Sequence, residues 1–254
     1  MRHDNTISQS FGPQANAYLT SPIHSQGADL GDLAEVVGAT GHPAVLDLGC
    51  GAGHASFAVA PFAQEVVAYD LTESMLQVVA STAAVRQLSN INTQQGSVDK
   101  LPFEDAHFDW VISRYSAHHW RNVEQALSEA RRVLKRGGQA CFIDSVGEAE
   151  PLFDTHLQTL ELLRDPSHVR NYSEAEWLGL FQAQSFQARI IKRWRIPIEF
   201  SSWVARIGTP ADRITALRTF WAGAPAEVRE NFKLQPDLSF EIGVGMIQAQ
   251  ITNP

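Results

Sequence analysis

Five predicted strands alternate with segments of helical periodicity between residues 44 and 144. The strands lie at 44–48, 66–69, 91–95, 108–113 and 139–144, and the first of them, AVLDL, is a short apolar run typical of a buried strand. Helices are predicted at 28–37, 55–62, 72–85 and 123–134. Such alternation builds a parallel sheet with helices on both faces, because each parallel strand needs a long crossover to return the chain to the same edge. The sequence therefore predicts an α/β fold with a doubly wound, mostly parallel sheet.

The segments before and after this alternating region have a different pattern of predicted secondary structure. Near the N-terminus, Phe11, Ala15 and Tyr18 are spaced to share one helical face. After residue 150 the pattern is mainly helical, with late strands at 188–198 and 240–251 that suit an antiparallel addition to the sheet edge. We therefore predict one domain in three parts, namely an N-terminal helical lid (1–40), a core (41–150) and a C-terminal α/β elaboration (151–254).

Composition narrows the class of protein. The 254 residues include 28 acidic and 20 basic side chains, a formal net charge of −8 that disfavours a nucleic-acid partner. No apolar run approaches the roughly 18 residues of a membrane span, and the polar N-terminus lacks the features of a secretory signal. Cys50 and Cys141 are too few for a disulfide framework or a metal cluster. We expect a cytoplasmic protein, with no metal, that acts on a small molecule.

A glycine-rich loop follows the first predicted strand, in Val45-Leu-Asp-Leu-Gly-Cys-Gly-Ala-Gly53. Alternating glycines at Gly49, Gly51 and Gly53 let the backbone approach a ligand closely, although a tight turn without a ligand is the alternative. The spacing is G-x-G-x-G rather than the G-x-G-x-x-G of dinucleotide-binding loops.

Two carboxylates flank this loop in the predicted fold. Asp47 stands just before the glycines, where it would repel a pyrophosphate and attract an ammonium or sulfonium group. Asp70 ends the second strand, where a carboxylate can accept hydrogen bonds from ribose hydroxyls, although capping the next helix is an alternative role.

Successive motifs in the core resemble those of class I S-adenosylmethionine-dependent methyltransferases. They are VLDLGCGAGH, VVAYDLTESML, QGSVDKLPF, FDWVISRYSAHHW and ARRVLKRGGQACFIDS, and together they cover about residues 40–145. More narrowly, the chain is similar to the branch that contains the ubiquinone/menaquinone-biosynthesis methyltransferases and their uncharacterised bacterial relatives. The resemblance implies a Rossmann-like methyltransferase fold with S-adenosyl-L-methionine as cofactor.

The resemblance also implies roles for individual residues. Asp47 and the loop Gly49–Gly53 would hold the methionine part of the cofactor, and Asp70 the ribose. The remaining expected cofactor contacts are Leu71 and Met75 at the nucleoside, Ser97 and Val98 at the adenine, and Arg114. The segment 113–119 would lie beside the sulfonium and its methyl group.

Candidates for catalysis follow the fourth strand. His118 and His119 stand where doubly wound folds bind their ligands, and either can accept a proton near neutral pH or serve as a wall of the crevice. The resemblance also implies that Tyr18 lies across the cofactor as part of the lid, with a buried position on an amphipathic helix as the alternative. Asp144 is a further crevice candidate, with helix capping or a surface position as the favoured interpretation. Weaker candidates for an acceptor pocket are Arg170, Tyr172, Trp177 and Trp203.

The sequence thus predicts a methyltransferase that transfers a methyl group from S-adenosylmethionine to oxygen or carbon of a small-molecule acceptor, with S-adenosylhomocysteine as the product. Two alternatives stay open. One is a cofactor-binding protein without turnover, and the other is an NAD(P)-dependent oxidoreductase, which the glycine spacing and Asp47 disfavour. The acceptor and the oligomeric state are not predicted.

Overall fold

The computed structural model describes residues 3–21 and 25–252. Seven strands form one sheet in the order β3-β2-β1-β4-β5-β7-β6. Their bounds are β1 Ala44–Leu48, β2 Glu65–Asp70, β3 Ile91–Gln95, β4 Phe108–Arg114, β5 Leu134–Ser145, β6 Phe186–Ile198 and β7 Phe240–Ile251. The first five strands are parallel and β7 pairs antiparallel with both β5 and β6. The predicted α/β fold with an antiparallel addition at the edge is confirmed.

The described helices cover both faces of the sheet and its C-terminal edge. Before and within the parallel part they are α1 His3–Phe11, α2 Ala15–Thr20, α3 Ala28–Gly38, α4 His54–Val59, α5 Glu73–Val85 and α6 Val123–Val133. After β5 they are α7 Pro151–Arg164, α8 Glu174–Ala183, α9 Phe200–Ile207, α10 Ala211–Ala222 and α11 Ala226–Asn231. The sequence pattern did not predict α11. None of the described helices is long and apolar enough to cross a membrane.

Burial along the strands explains why the sheet has this arrangement. Every residue of the central strand β1 is buried, as expected for a parallel strand covered by helices on both faces. At the far edge, β6 leaves its basic residues exposed, but not on one face as their alternation suggests, because Lys192 pairs with Asp32 of α3 and the adjacent Arg193 pairs with Glu174 of α8. Gly137 and Gly138 follow two basic residues, a pattern typical of a helix end, yet they lie inside β5, in a stretch where its pairing with β4 shifts register.

The C-terminal helices build a second layer of core beside β6 and β7. Trp203 of α9, Leu217 and Trp221 of α10, and Phe240 of β7 pack in one buried cluster. This cluster is continuous with the end of the sheet through Ile242. The C-terminal part therefore buries its apolar side chains against the sheet, which fits the predicted elaboration of one domain.

A short helical cover lies across the carboxyl ends of the parallel strands. Phe11, Ala15 and Tyr18 pack in one cluster with Ala52 and Met75, although Phe11 belongs to α1 and the other two to α2, so they do not share the face of one helix. A 3-10 turn at Gly12–Gln14 separates α1 from α2. Residues 1, 2, 22–24, 253 and 254, which the predicted lid and C-terminal part include, lie outside the described residues. The division of the chain into three parts stays a prediction.

Candidate active site

The glycine loop turns sharply between β1 and α4. Gly49, Gly51 and Gly53 have φ angles of +66°, +52° and +87°, a region that favours glycine. The Gly49 and Cys50 amides both donate to the Tyr69 carbonyl, at 2.8 and 3.1 Å, which fixes the loop against the end of β2. A Cβ on Gly49 would lie 1.8 Å from the Ser116 Oγ, whereas a Cβ on Gly51 would meet nothing within 4 Å. The loop is therefore packed at Gly49 and open at Gly51.

Asp70 ties the same loop to the start of α5. Its Oδ2 accepts a hydrogen bond from the Gly51 amide at 2.9 Å and its Oδ1 accepts one from the Thr72 amide at 2.8 Å. Burial raises the pKa of this carboxyl, while the two amides oppose the shift. Because a carboxylate offers about four lone-pair positions, Asp70 retains capacity for hydroxyl donors.

Asp47 has an unpartnered oxygen beside the loop. The side chain is fully buried, and Ser56 Oγ donates to its Oδ2 at 2.6 Å. Its Oδ1 is also buried and has no hydrogen-bond partner within the described chain. Burial raises the pKa of Asp47 to about 7. A buried acceptor of this kind is costly unless a donor meets it, so the residue suits a cationic or N–H-bearing ligand group.

These residues line one crevice, here named the glycine-loop cavity. Of the predicted cofactor residues, those that line it are Asp47, Gly49, Gly51, Asp70, Leu71, Met75, Ser97, Val98 and Arg114. Gly53 is not among the lining residues, because it packs on Val79 and Phe57. The structure thus brings nine of the ten predicted residues to one cavity, whereas Gly53 shapes the turn and does not face it.

Arg114 has a structural partner as well as a place in the cavity wall. Its guanidinium forms a buried ion pair with Asp29 of α3, with Nε–Oδ2 at 2.5 Å and Nη2–Oδ1 at 3.1 Å. The pair connects the end of β4 to the helix that precedes β1. Tyr115, the next residue, has a φ of +51° and lines the cavity too. Such backbone strain in a non-glycine residue is concentrated at functional sites.

A second crevice, here named the histidine cavity, adjoins the first. Phe11, Tyr18, Tyr115 and His119 line both cavities, so the two meet at these side chains. The histidine cavity continues between β6, β7 and the C-terminal helices, and its further lining residues are His118, Ser145, Glu161, Arg164, Ile196, Ile198, Trp203, Arg206 and Ile242. The C-terminal elaboration thus supplies most of its walls.

His118 and Asp144 form a hydrogen-bonded pair at the base of the histidine cavity. His118 Nδ1 lies 2.5 Å from Asp144 Oδ1, and the pair is largely buried. Asp144 also accepts the His118 and Ser145 amides, so its position is fixed. Burial lowers the pKa of His118, but the Asp144 carboxylate outweighs it and raises the pKa above 6.5. Because Nδ1 is engaged, Nε2 is the nitrogen left to face a ligand.

His119 has a different environment from its neighbour. Its Nδ1 contacts the Ser167 carbonyl at 3.2 Å, and Phe11 packs edge-on against its ring at 4.9 Å. Burial, together with the adjacent His118, lowers the pKa of His119 to about 3. A neutral ring wedged between an aromatic side chain and a backbone oxygen suits a wall better than a proton carrier.

Tyr18 closes both cavities from the lid. The Tyr18 carbonyl contacts His54 Nε2 at 3.1 Å, which ties α2 to the helix after the glycine loop. Its hydroxyl is hydrogen-bonded to Arg164, and burial raises its pKa. The hydroxyl is therefore held as a neutral group between the two cavities.

Several residues of the histidine cavity were not predicted from the sequence. Glu161, Arg164 and Arg206 lie on C-terminal helices whose charged residues have no distinctive spacing, so the only signal was an acid–base pair at i,i+3. Of the weaker acceptor-pocket candidates, Trp203 alone lines the cavity. Trp177 is fully buried in the core beside Tyr172, and Arg170 is paired with Asp154 and Glu176. Asp144, for which capping or a surface position was favoured, is instead buried against His118.

No group of three or more potential metal ligands is found in the described ranges 3–21 and 25–252. Both cavities are lined by polar groups that can take part in chemistry. One crevice combines an open glycine loop with a buried acceptor and a fixed carboxylate, and the other contains a histidine–carboxylate pair.

Comparison with known proteins agrees with this geometry. A family model described as a methyltransferase domain matches residues 46–142. The chain is 47% identical over 197 residues to the uncharacterized protein YafE of Escherichia coli, covering 78% of this chain and 95% of that protein. It is 37% identical over 222 residues to the uncharacterized methyltransferase YcgJ of Bacillus subtilis, covering 87% of this chain and 88% of that one.

The crystal structure of YcgJ superimposes with a TM-score of 0.82 over 88% of this chain and 99% of that structure, at 35% identity. The demethylmenaquinone methyltransferase of Staphylococcus carnosus is 35% identical over 141 residues, which cover 52% of this chain and 57% of that enzyme. This partial match is confined to about half of each chain. The chain belongs to the class I S-adenosylmethionine-dependent methyltransferases, in the branch that includes the ubiquinone/menaquinone-biosynthesis enzymes.

Proposed function

We propose that this enzyme transfers a methyl group from S-adenosylmethionine to a hydroxyl oxygen or an acidic carbon of a small molecule and releases S-adenosylhomocysteine. The observation that carries the proposal is the junction of the two cavities. The glycine-loop cavity has the donors and acceptors that the cofactor needs, and the histidine cavity offers a paired base on the other side of Tyr115 and His119.

The glycine-loop cavity fits the cofactor group by group. The unpartnered Oδ1 of Asp47 would accept the ammonium group of the methionine part, with the Gly49–Gly53 loop shaping the pocket around it. Asp70 would accept the ribose hydroxyls. Leu71 and Met75 would pack on the nucleoside, Ser97 and Val98 on the adenine, and Arg114 would line the methionine end. When bound, the cofactor supplies an electrophilic methyl group on a sulfonium.

His118 is the residue that we propose as general base. Its Nδ1 is held by Asp144, so the Nε2 side can remove a proton from the acceptor. The rest of the junction positions the acceptor and excludes water, which an in-line displacement requires. His119 and Tyr18 would supply this enclosure from the wall and the lid.

A small acceptor fits the shape of the site, because the histidine cavity lies under the lid and between C-terminal elements. The net charge of −8 favours a small molecule over a nucleic acid as the partner. We also propose that the enzyme acts in the cytoplasm, since Cys50 and Cys141 are both free thiols, as is usual in a reducing compartment.

Calorimetric titration with S-adenosylhomocysteine tests the cofactor assignment. We expect binding by the wild-type protein, no binding of NAD, and at least about a tenfold loss of affinity in Asp70→Ala, because a carboxylate contributes strongly to a hydrogen bond. Asp105→Ala is the matched control, since Asp105 is an exposed partner of Arg132 outside the cavity. Absence of S-adenosylhomocysteine binding by the wild-type protein would overturn the proposal.

A further inference from the structure

The charged groups of the histidine cavity differ in their direct partners. His118 is paired with Asp144, and Arg164 lies 3.9 Å from Glu161. Arg206, from α9, also lines the cavity, yet within the part of the chain that the structure describes it has neither a hydrogen bond nor an ion pair. Its guanidinium therefore lies in the cavity wall with no acid in direct contact, and Glu161 acts on it only at longer range.

Arg164, in contrast, uses its guanidinium in contacts within the protein. Its Nε donates to the Trp203 carbonyl at 3.1 Å, and its guanidinium lies 5.0 Å from the centre of the Trp203 ring. It also holds the Tyr18 hydroxyl. Arg164 is thus occupied in fixing the lid and α9, whereas the donors of Arg206 are available to a ligand.

The environment of Arg206 makes an anionic partner favourable. Burial and the nearby Arg164 lower its pKa more than Tyr18 and Glu161 raise it, yet an arginine stays charged across the physiological range. A half-buried cation beside a second cation is costly, and an anion bound between the lid and α9 would relieve that cost. The wall next to it is apolar, formed by Ile196, Ile198, Trp203 and Ile242.

We propose that the methyl acceptor is a small apolar carboxylic acid whose carboxylate is bound by Arg206, with its apolar body on the isoleucine and tryptophan wall. The proposal rests on the proposed function, because the histidine cavity is an acceptor site only if methyl transfer occurs there. Arg206 is then a specificity-determining residue, and the methylated oxygen or carbon lies at the other end of the acceptor, near His118.

A monoanion fits this cavity better than a dianion. Arg206 offers one guanidinium without a direct partner, and a planar carboxylate matches its two-pronged geometry. A phosphate monoester would bring a second negative charge towards Glu161, which also lines the cavity and is buried. We therefore do not expect phosphate esters to be methyl acceptors of this enzyme.

Competition between matched probes tests this inference. The protein is first saturated with S-adenosylhomocysteine, and the complex is then titrated with straight-chain and aromatic carboxylates of short to medium length, with their primary amides and with alkyl phosphates. We expect at least one acid to bind about tenfold or more tightly than its amide and its phosphate counterpart, as a charge-assisted pair predicts. We expect Arg206→Met to reduce the preference over the amide to less than about twofold, and Arg206→Lys to keep part of it.

Arg218→Met is the matched control, because Arg218 is an exposed arginine on the neighbouring helix α10 and does not line either cavity. It should retain the full preference for the acid. Should Arg206→Met fold poorly, Arg206→Gln replaces it in the same comparison. Equal binding of acids and amides, a preference that survives the loss of Arg206, or binding of no acid at all would overturn the inference. Failure to bind S-adenosylhomocysteine in the first step would instead overturn the proposed function.

Discussion

At the scale of single residues, the buried carboxyl of Asp47 links the proposed recognition of the cofactor to the stability of the fold. Burial holds its pKa at about 7, above the ordinary 3.8, so the folded protein keeps a proton that the unfolded chain has lost between about pH 4 and pH 7. Stability without ligand therefore falls as pH rises through this window. Ionised Asp47 then carries a desolvation cost that a cofactor ammonium would offset.

We expect Asp47→Asn to stabilise the ligand-free protein by about 1–3 kcal/mol at pH 8, with the gain disappearing as pH falls towards 4. Urea denaturation across pH measures it, with the exposed Asp105→Asn as a control that should change little. The same variant should bind S-adenosylhomocysteine more weakly. A destabilised variant at pH 8 would contradict the account of Asp47.

The pH profile of turnover reports on His118. A general base must be neutral, and Asp144 holds the pKa of His118 above 6.5, so the rate should rise with pH through a midpoint above that value. We expect His118→Gln to lose about 10²–10⁴ in kcat while S-adenosylhomocysteine binding is retained.

Asp144→Asn should lower both the midpoint and the plateau, because it removes the charge that favours the imidazolium. Rates measured across pH with a saturating acceptor check both variants. An unchanged midpoint in Asp144→Asn would contradict the proposal that the His118–Asp144 pair removes the proton from the acceptor.

Gly51 and Gly137 form a natural pair for testing the loop. Both have positive φ angles, +52° and +76°, and a Cβ on either would meet no atom within 4 Å. Alanine should therefore cost each site a similar amount of stability, about 1–2 kcal/mol. Only Gly51→Ala should weaken S-adenosylhomocysteine binding, since Gly51 alone lines the cavity. Equal affinities in the two variants would show that Gly51 does not approach the cofactor.

At the scale of elements, α3 is held to the sheet by two ion pairs that differ in burial. Asp29 pairs with Arg114 in the interior, while Asp32 pairs with Lys192 near the surface of β6. We expect Asp29→Ala to lower the free energy of unfolding by about 3–5 kcal/mol, because it removes the ion-pair partner of the buried Arg114. We expect Asp32→Ala to lower it by less than about 1 kcal/mol. Chemical denaturation of the two variants makes the comparison. Similar losses in both would contradict the role assigned to Arg114 as an anchor of α3.

Helices and strands with a clear hydrophobic pattern were predictable from the sequence, whereas those that depend on packing against other elements were not. A continuous apolar run predicted β1, which is covered on both faces and buried throughout, whereas β3 at the sheet edge is largely exposed and has no such run. The pattern after residue 133 misled because glycines that commonly end helices can also allow a strand to bend, as Gly137 does with its φ of +76°. The helix α11 has six residues and one buried side chain, Val228, which is too little periodicity to recognise.

At the scale of the whole molecule, the active site joins three parts of the chain. The core supplies the glycine loop and His118, the lid supplies Phe11 and Tyr18, and the C-terminal helices supply Arg164 and Arg206. Motif spacing predicted which residues share the glycine-loop cavity, because they follow strand ends that meet at one edge of the sheet. The acceptor side depends on how α7 and α9 pack over that edge, which no local pattern in the sequence specifies.

Methyl transfer itself is tested most directly by following an isotope-labelled methyl group. The enzyme is incubated with methyl-labelled S-adenosylmethionine and a metabolite extract of Escherichia coli, whose YafE is 47% identical to this chain. Mass spectrometry then measures S-adenosylhomocysteine and any labelled product. The account predicts that one labelled small molecule accumulates with an equal amount of S-adenosylhomocysteine, and that His118→Gln, which still binds the cofactor product, forms neither. Equal labelling by the wild-type enzyme and His118→Gln, or no labelling by a wild-type enzyme that binds S-adenosylhomocysteine, would contradict it.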